Sequence, residues 1–349
     1  MSATAAICPP PALRPNRAVA FWLLSMCAMV FVMVILGGLT RLTHSGLSIV
    51  EWKPVTGIFP PMNEADWQLL FDQYRQFPEY QKVNQSMTVD EFKGIFWLEF
   101  IHRLWGRAIG VVFLVPFLAF LALKQIERRM APRLILIFLL GGFQGFLGWW
   151  MVKSGLAHEP DVSQYRLTLH LGAAFLIFAV MEWVALGMLS PKPTEAGAGL
   201  RRLTSLAVAL AAVTVLAGGL VAGTDAGFTY NTFPLMDGSL IPSEILFPLD
   251  PWWLSAFEDL ATVQFQHRVL ALTTLGVALA AGWLAFAQNI ATQAKRAFLL
   301  AGGMALVQVG LGIATLLLIV PVALGSAHQA GAMVLLGLLI WARHEIRAG

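Results

Sequence analysis

Eight separate stretches of this chain stay apolar for about 20 residues, the length a helix needs to cross a bilayer core. They run 18–38, 97–123, 134–152, 167–189, 203–223, 263–286, 298–320 and 327–341, the last short enough to need its flanks. Backbone groups inside a bilayer must find partners in the protein, which leaves helices or a closed barrel. These stretches are continuously apolar and do not alternate, which argues against barrel strands. The expected fold is an all-α integral membrane protein, in keeping with 58% hydrophobic and 12% charged residues.

Loop charge orients the helices. One set of connections and tails holds Arg14, Arg17, Lys124, Arg128, Arg129, Arg133, Lys192, Arg201, Arg202, Lys295, Arg296, Arg343 and Arg347. On the other side, connections 224–261 and 321–326 hold no Lys or Arg, and the five basic residues of the long 39–96 loop carry little weight. Both termini are therefore expected in the cytoplasm. The first apolar run lacks a small-residue cleavage site after it and reads as a retained helix. Cys8 and Cys27 lie in the N-terminal tail and first span, so no outer-loop cysteine pair is available.

The two halves repeat. Gly37-Gly38-Leu39 and Thr43–Leu47 align with Gly218-Gly219-Leu220 and Thr224–Phe228 at an offset of 181. Phe100–Arg103 aligns with Phe265–Arg268 at 165, Gln144–Gly148 with Gln308–Gly312 at 164, and His170 with His328 at 158. Four spans per unit is an even number, which predicts parallel repeats: two four-helix bundles related by an axis along the bilayer normal. The boundary falls at 190–200, dividing the chain into 1–192 and 193–349. In the first outer loop, Asn63 is placed to cap a short amphipathic helix to about Tyr74, either a lid or a helix resting at the interface. Thr88-Val89-Asp90-Glu91 reads as a capping box that starts the second span outside the membrane.

Four of the seven histidines, His102, His170, His267 and His328, fall at the same end of every second span. An ionisable ring there is costly and marks a cavity or ligand. Two imidazoles facing each other across a bundle suit the two axial positions of an iron porphyrin. Zinc would ask for further protein ligands and copper for a Cys or Met partner. Arg103, Arg107, Arg166 and Arg268 flank the histidines and are candidate partners for propionates. Glu99 breaks the symmetry, since Gln264 holds its place in the second half, and so points to chemistry in the first half. His44, His158 and His344 stand outside the pattern; His344 is expected at the cytoplasmic surface.

The segments GGLTRLTHSGLSIVEW (37–52), EFIHRLWGR (99–107), TLHLG (168–172), QHRV (266–269) and AHQAG (327–331) resemble the heme A synthase family, with the likeness running from first span to eighth. That resemblance implies conversion of heme O to heme A by two successive oxidations of one ring methyl, through a hydrated aldehyde. It implies His102 and His170 as axial ligands of the substrate heme, His267 and His328 as ligands of a heme b cofactor, and Glu99 as catalytic. Some members carry an outer-loop cysteine pair; this chain does not. Pathway logic adds a heme O synthase and the assembling terminal oxidase as partners, beside the lipid bilayer; a homo-oligomer is left open and nothing points to nucleic acid. A diheme b-type cytochrome carrying electrons is the alternative, and a heme transporter a more distant one.

Overall fold

The computed structural model describes residues 16–54, 56–157, 159–189 and 192–347. Among these residues the chain forms eleven α-helices: α1 (Arg17–Leu42), α2 (Glu64–Tyr74), α3 (Pro78–Lys82), α4 (Val89–Ala122), α5 (Ala131–Gly155), α6 (Gln164–Leu189), α7 (Ala198–Gly223), α8 (Ser255–Glu258), α9 (Leu260–Phe286), α10 (Thr292–Leu317) and α11 (Val322–Glu345). Eight of them are long and apolar enough to span a membrane. Their remote faces carry Val111, Val115, Leu118, Leu136 and Leu139 outward, as lipid-facing helices do.

Local chemistry sets the boundaries. Asn16 and Asn63 accept from the Val19 and Asp66 amides and start α1 and α2. Thr88 and Glu91 form the expected reciprocal capping box at α4. With 34 residues α4 is about 50 Å long, far more than the hydrocarbon thickness, so its first turns project beyond it. The apolar face of α2 packs on this projection: Trp67 meets Phe96 at 4.9 Å between ring centroids, and Tyr74 meets Phe92 at 5.2 Å. Protein, not the membrane interface, covers Trp67, Phe71 and Tyr74.

The short eighth stretch takes in its flanks as expected, since α11 runs 24 residues from Val322 to Glu345. One difference from expectation lies at its end: His344 is 1% exposed, not at the surface, with its ring edge-on to Trp183 at 5.0 Å. The Thr194 amide donates to the Glu345 carbonyl, tying the connector after α6 over this end. His158 lies outside the described residues.

Helix neighbours correspond between the halves. In the first, α1 packs on α4 and α6, and α5 packs on α4 and α6; in the second, α7 packs on α9 and α11, and α10 packs on α9 and α11. Across the seam, α6 meets α7 and α11, and α1 meets α11. Among the described residues the largest apolar cluster runs from Val19 and Met26 through Met181 to Met333 and Leu339, so both halves share it.

Candidate heme site

Each histidine of the repeat pattern rests against a glycine of the membrane-spanning helix that precedes its own. A β-carbon at Gly37 would lie 3.4 Å from His102 Nε2, and one at Gly218 would lie 3.1 Å from His267 Cε1. The same construction at Gly148 falls 3.0 Å from His170 Cε1, and at Gly312 2.8 Å from His328 Cε1. A β-carbon would be in ordinary contact at Gly37, tight at Gly148 and Gly218, and too close at Gly312 for the ring to stay where it is. Backbone that close to the imidazole lets four bulky side chains enter the bundle interior without pushing helices apart.

The rings come together in pairs. His267 and His328 stand 6.4 Å apart between centroids with planes at 89°. With metal–nitrogen bonds of about 2 Å and the ring's own radius, two imidazoles on one metal have centroids about 6 Å apart, so this pair fits an ion between them. His102 and His170 are close enough to interact electrostatically. Among the described residues no cluster of three or more His, Cys, Asp or Glu is placed to hold a metal ion. A two-imidazole site therefore suits a metal whose remaining ligands arrive with it, as in a porphyrin.

Gln144 and Gln308 back the pairs from α5 and α10. Each donates its Nε2 to the backbone carbonyl of the histidine opposite, His170 or His328, at 2.8 Å. In the sequence these glutamines mark only the repeat; that they reach a histidine carbonyl depends on tertiary packing.

Above the pairs, Glu99 and Arg103 hold a loop. Glu99 is 2% exposed, and its Oε2 accepts from Ser48 Oγ and the Ile49 amide, both at 2.7 Å. Its Oε1 accepts from Arg103 Nε at 2.9 Å and from Nη2. Arg103 Nη2 also donates to the Ile49 carbonyl and Nη1 to that of Glu51. The second half repeats the device with neutral chemistry. Gln264 Nε2 donates to the Ala226 and Thr229 carbonyls, while Arg268 Nη2 donates to Gln264 Oε1 and the Tyr230 carbonyl. Tyr230 is the repeat equivalent of Ile49, so each arginine grips the same carbonyl of its own loop.

The other two arginines sit differently. Arg107 reaches the Pro54 and Lys53 carbonyls, and Arg166 donates to the Trp150 carbonyl while its guanidinium lies 4.3 Å over the Trp150 ring. Arg107 Nη1 and Arg268 Nε are buried and without a hydrogen-bond partner. The structure thus gathers Glu99, Arg103 and Arg107 around loop 48–54, Arg268 against loop 226–235, and Arg166 beside α5. Sequence alone offered no sign that loop carbonyls would take up these charges.

The family profile described as cytochrome oxidase assembly protein, COX15-CtaA, matches residues 20–340. This chain belongs to that family. Proteins named heme A synthase are similar over nearly the whole length. That of Paramagnetospirillum magneticum is 55% identical over 337 residues, covering 95% of this chain and 94% of the relative. That of Nitrosospira multiformis is 51% identical with the same coverage, and that of Rhodospirillum centenum 52% identical, covering 97% of this chain and 92% of the relative.

Proposed function

We propose that this chain is a heme A synthase of the inner membrane, oxidising a ring methyl of heme O to a formyl group in two successive oxidations. The observation that carries the reading is the pair of facing histidines in each half, backed by glycine, with a carboxylate beside only one pair. In this reading the chain forms two parallel-repeat bundles, 1–192 for substrate and 193–349 for cofactor, with both termini cytoplasmic. His102 and His170 hold the substrate heme iron from opposite faces. His267 and His328 hold a heme b, which when bound supplies one-electron redox chemistry. The glycine cradles, the 6.4 Å ring separation and the all-imidazole donor set fit that group.

The chain's own work is positioning and proton handling. Axial ligation fixes the substrate in register, so one methyl is presented repeatedly to the same surroundings. Arg107 and Arg268, each with a buried nitrogen free to donate, are the best placed of the four arginines to take propionates, with Arg103 and Arg166 in support. Glu99 is the group assigned to take a proton as the methyl is oxidised. It also accepts from Ser48 Oγ and the Ile49 amide, which ties the proton acceptor to the loop that follows α1.

Expression with a heme O synthase in a host that lacks heme A, followed by heme extraction and chromatography, tests the reading. Heme A or its hydroxylated precursor is expected. Heme b alone, at two equivalents per chain, would instead mean a diheme electron carrier.

A further inference from the structure

We propose that residues 52–54 and 56–62 form a finger, held down by Arg107, whose apolar tip enters the membrane just below the headgroups. The leaflet is the one on the histidine side. The inference rests on α4 crossing a membrane and not on the heme assignment, so the two can fail separately.

Depth follows from α4. No charged residue separates Arg107 from Lys124, which lies just beyond the helix end. At the helical rise that stretch is about 25 Å long, against a hydrocarbon core of about 30 Å. The backbone at Arg107 therefore lies inside the hydrocarbon when α4 stands upright, and any tilt takes it deeper. Its side chain reaches back along the helix towards the headgroups, as long basic side chains do. There the guanidinium meets the finger: Nε donates to the Pro54 carbonyl and Nη2 to that of Lys53, both at 2.9 Å. A β-carbon on Gly57 would come within 2.9 Å of the same Nη2, so the backbone lies on the guanidinium.

From Gly57 the chain has to climb at once, because Glu64 pairs with Lys93 at 3.3 Å. Lys93 and Arg107 are about 21 Å apart along α4, and Gly57 to Glu64 spans at most about 24 Å. Little slack remains, so the low end of the finger is Gly57 and its immediate neighbours.

Those neighbours are apolar and bare. Phe59 is 75% exposed, and Ile58 and Met62 are exposed beside it. Trp52, on the way down, is exposed too, with the Arg103 guanidinium 5.6 Å over its ring. Ile101, Leu104 and Val111 of α4 are likewise exposed, so the tip continues a lipid-facing surface. Large apolar side chains with a tryptophan at their base suit the boundary between headgroups and acyl chains. The second half lacks the anchor, since Leu272 stands at the repeat position of Arg107. The finger also falls where the repeat offset drops from 181 to 165, within the stretch that sets the first outer loop apart.

Bimane attached at single cysteines tests this, in full-length protein carrying Cys8→Ser and Cys27→Ala and reconstituted in phosphatidylcholine vesicles. The label at Phe59→Cys is expected to be quenched by phosphatidylcholine bearing a nitroxide near its headgroup, as the label at Val111→Cys is. Aqueous iodide is expected to quench it several-fold less than the label at Leu69→Cys, an exposed position of α2 beside the upper part of α4. Arg107→Leu is expected to lift the tip, raising iodide quenching at Phe59→Cys several-fold and lowering nitroxide quenching. A Phe59→Cys label quenched by iodide as Leu69→Cys is, or by neither agent, as under a second copy of the chain, overturns the proposal. A label that stays in the lipid when Arg107 is replaced overturns the part given to Arg107. If Phe59→Cys does not fold, Ile58→Cys gives the same reading.

Discussion

At the scale of single residues, the glycines behind the histidines set where those rings can lie. A methyl at Gly312 would stand 2.8 Å from His328 Cε1, a separation real contacts essentially never show, so the ring must shift to admit it. We predict that Gly312→Ala displaces the ring and strips heme b from the purified protein, read as loss of its Soret absorbance; unchanged absorbance would refute the cradle. Glu99 invites a different substitution, because the second half already contains the answer at Gln264. Glu99→Gln removes the charge opposite Arg103, and breaking one side of a buried pair costs about 3–5 kcal/mol. We expect heme b to stay and heme A formation to stop; normal product would end the chemical assignment. The histidines were legible in the sequence because the repeat placed them in register. The loop bonds of Glu99 and Arg103 were not, since residues 48 and 99 meet only through tertiary folding.

Among elements, the cover made by α2, α3 and the start of α4 is the part most open to conditions. Its capping residues Asn63, Thr88 and Glu91 were readable because caps act within four residues. Its buried acid was not. Glu79 is 3% exposed and accepts from the Tyr74 hydroxyl at 3.0 Å, and burial, with Glu99 and Asp161 adding negative charge, raises its pKa from 4.5 to about 7. The folded cover thus keeps a proton that the unfolded segment gives up at lower pH. The contribution of Glu79 to cover stability is therefore fully present below about pH 4.5 and is lost as pH rises through about 7. Hydrogen exchange over residues 64–88 should quicken between about pH 5 and about pH 8 beyond its intrinsic increase, and Glu79→Gln should flatten the difference. An identical pH response in that variant would show that another group is responsible.

For the whole molecule, the doubled glycines mark how the halves join. Gly37 and Gly218 face their own histidines, while their neighbours Gly38 and Gly219 face across the seam, towards Gln329 Oε1 and Thr168 Oγ1. Arg41 adds a 2.8 Å ion pair to Asp225. We predict that Arg41→Ala costs less than about 1 kcal/mol, since the pair is partly exposed. Gly38→Val, which overpacks the seam, should cost about 1–3 kcal/mol and lower the thermal midpoint in detergent; the reverse ranking would mean the ion pair holds the seam. The repeat itself could be read from offsets in the sequence, but not that its two members share one core, because shared packing leaves no periodic trace. The misplacing of His344 has the same origin: nothing local to the end of α11 signals that Trp183 lies over it. One consequence follows from rings that rest on bare backbone. No intervening side chain can rotate to absorb a change in helix spacing, so the imidazoles register that spacing directly. On the reading that these rings hold heme, a thicker or thinner bilayer that tilts the helices would reach the iron's ligand field directly, and the colour of the heme would become a gauge of the membrane around it.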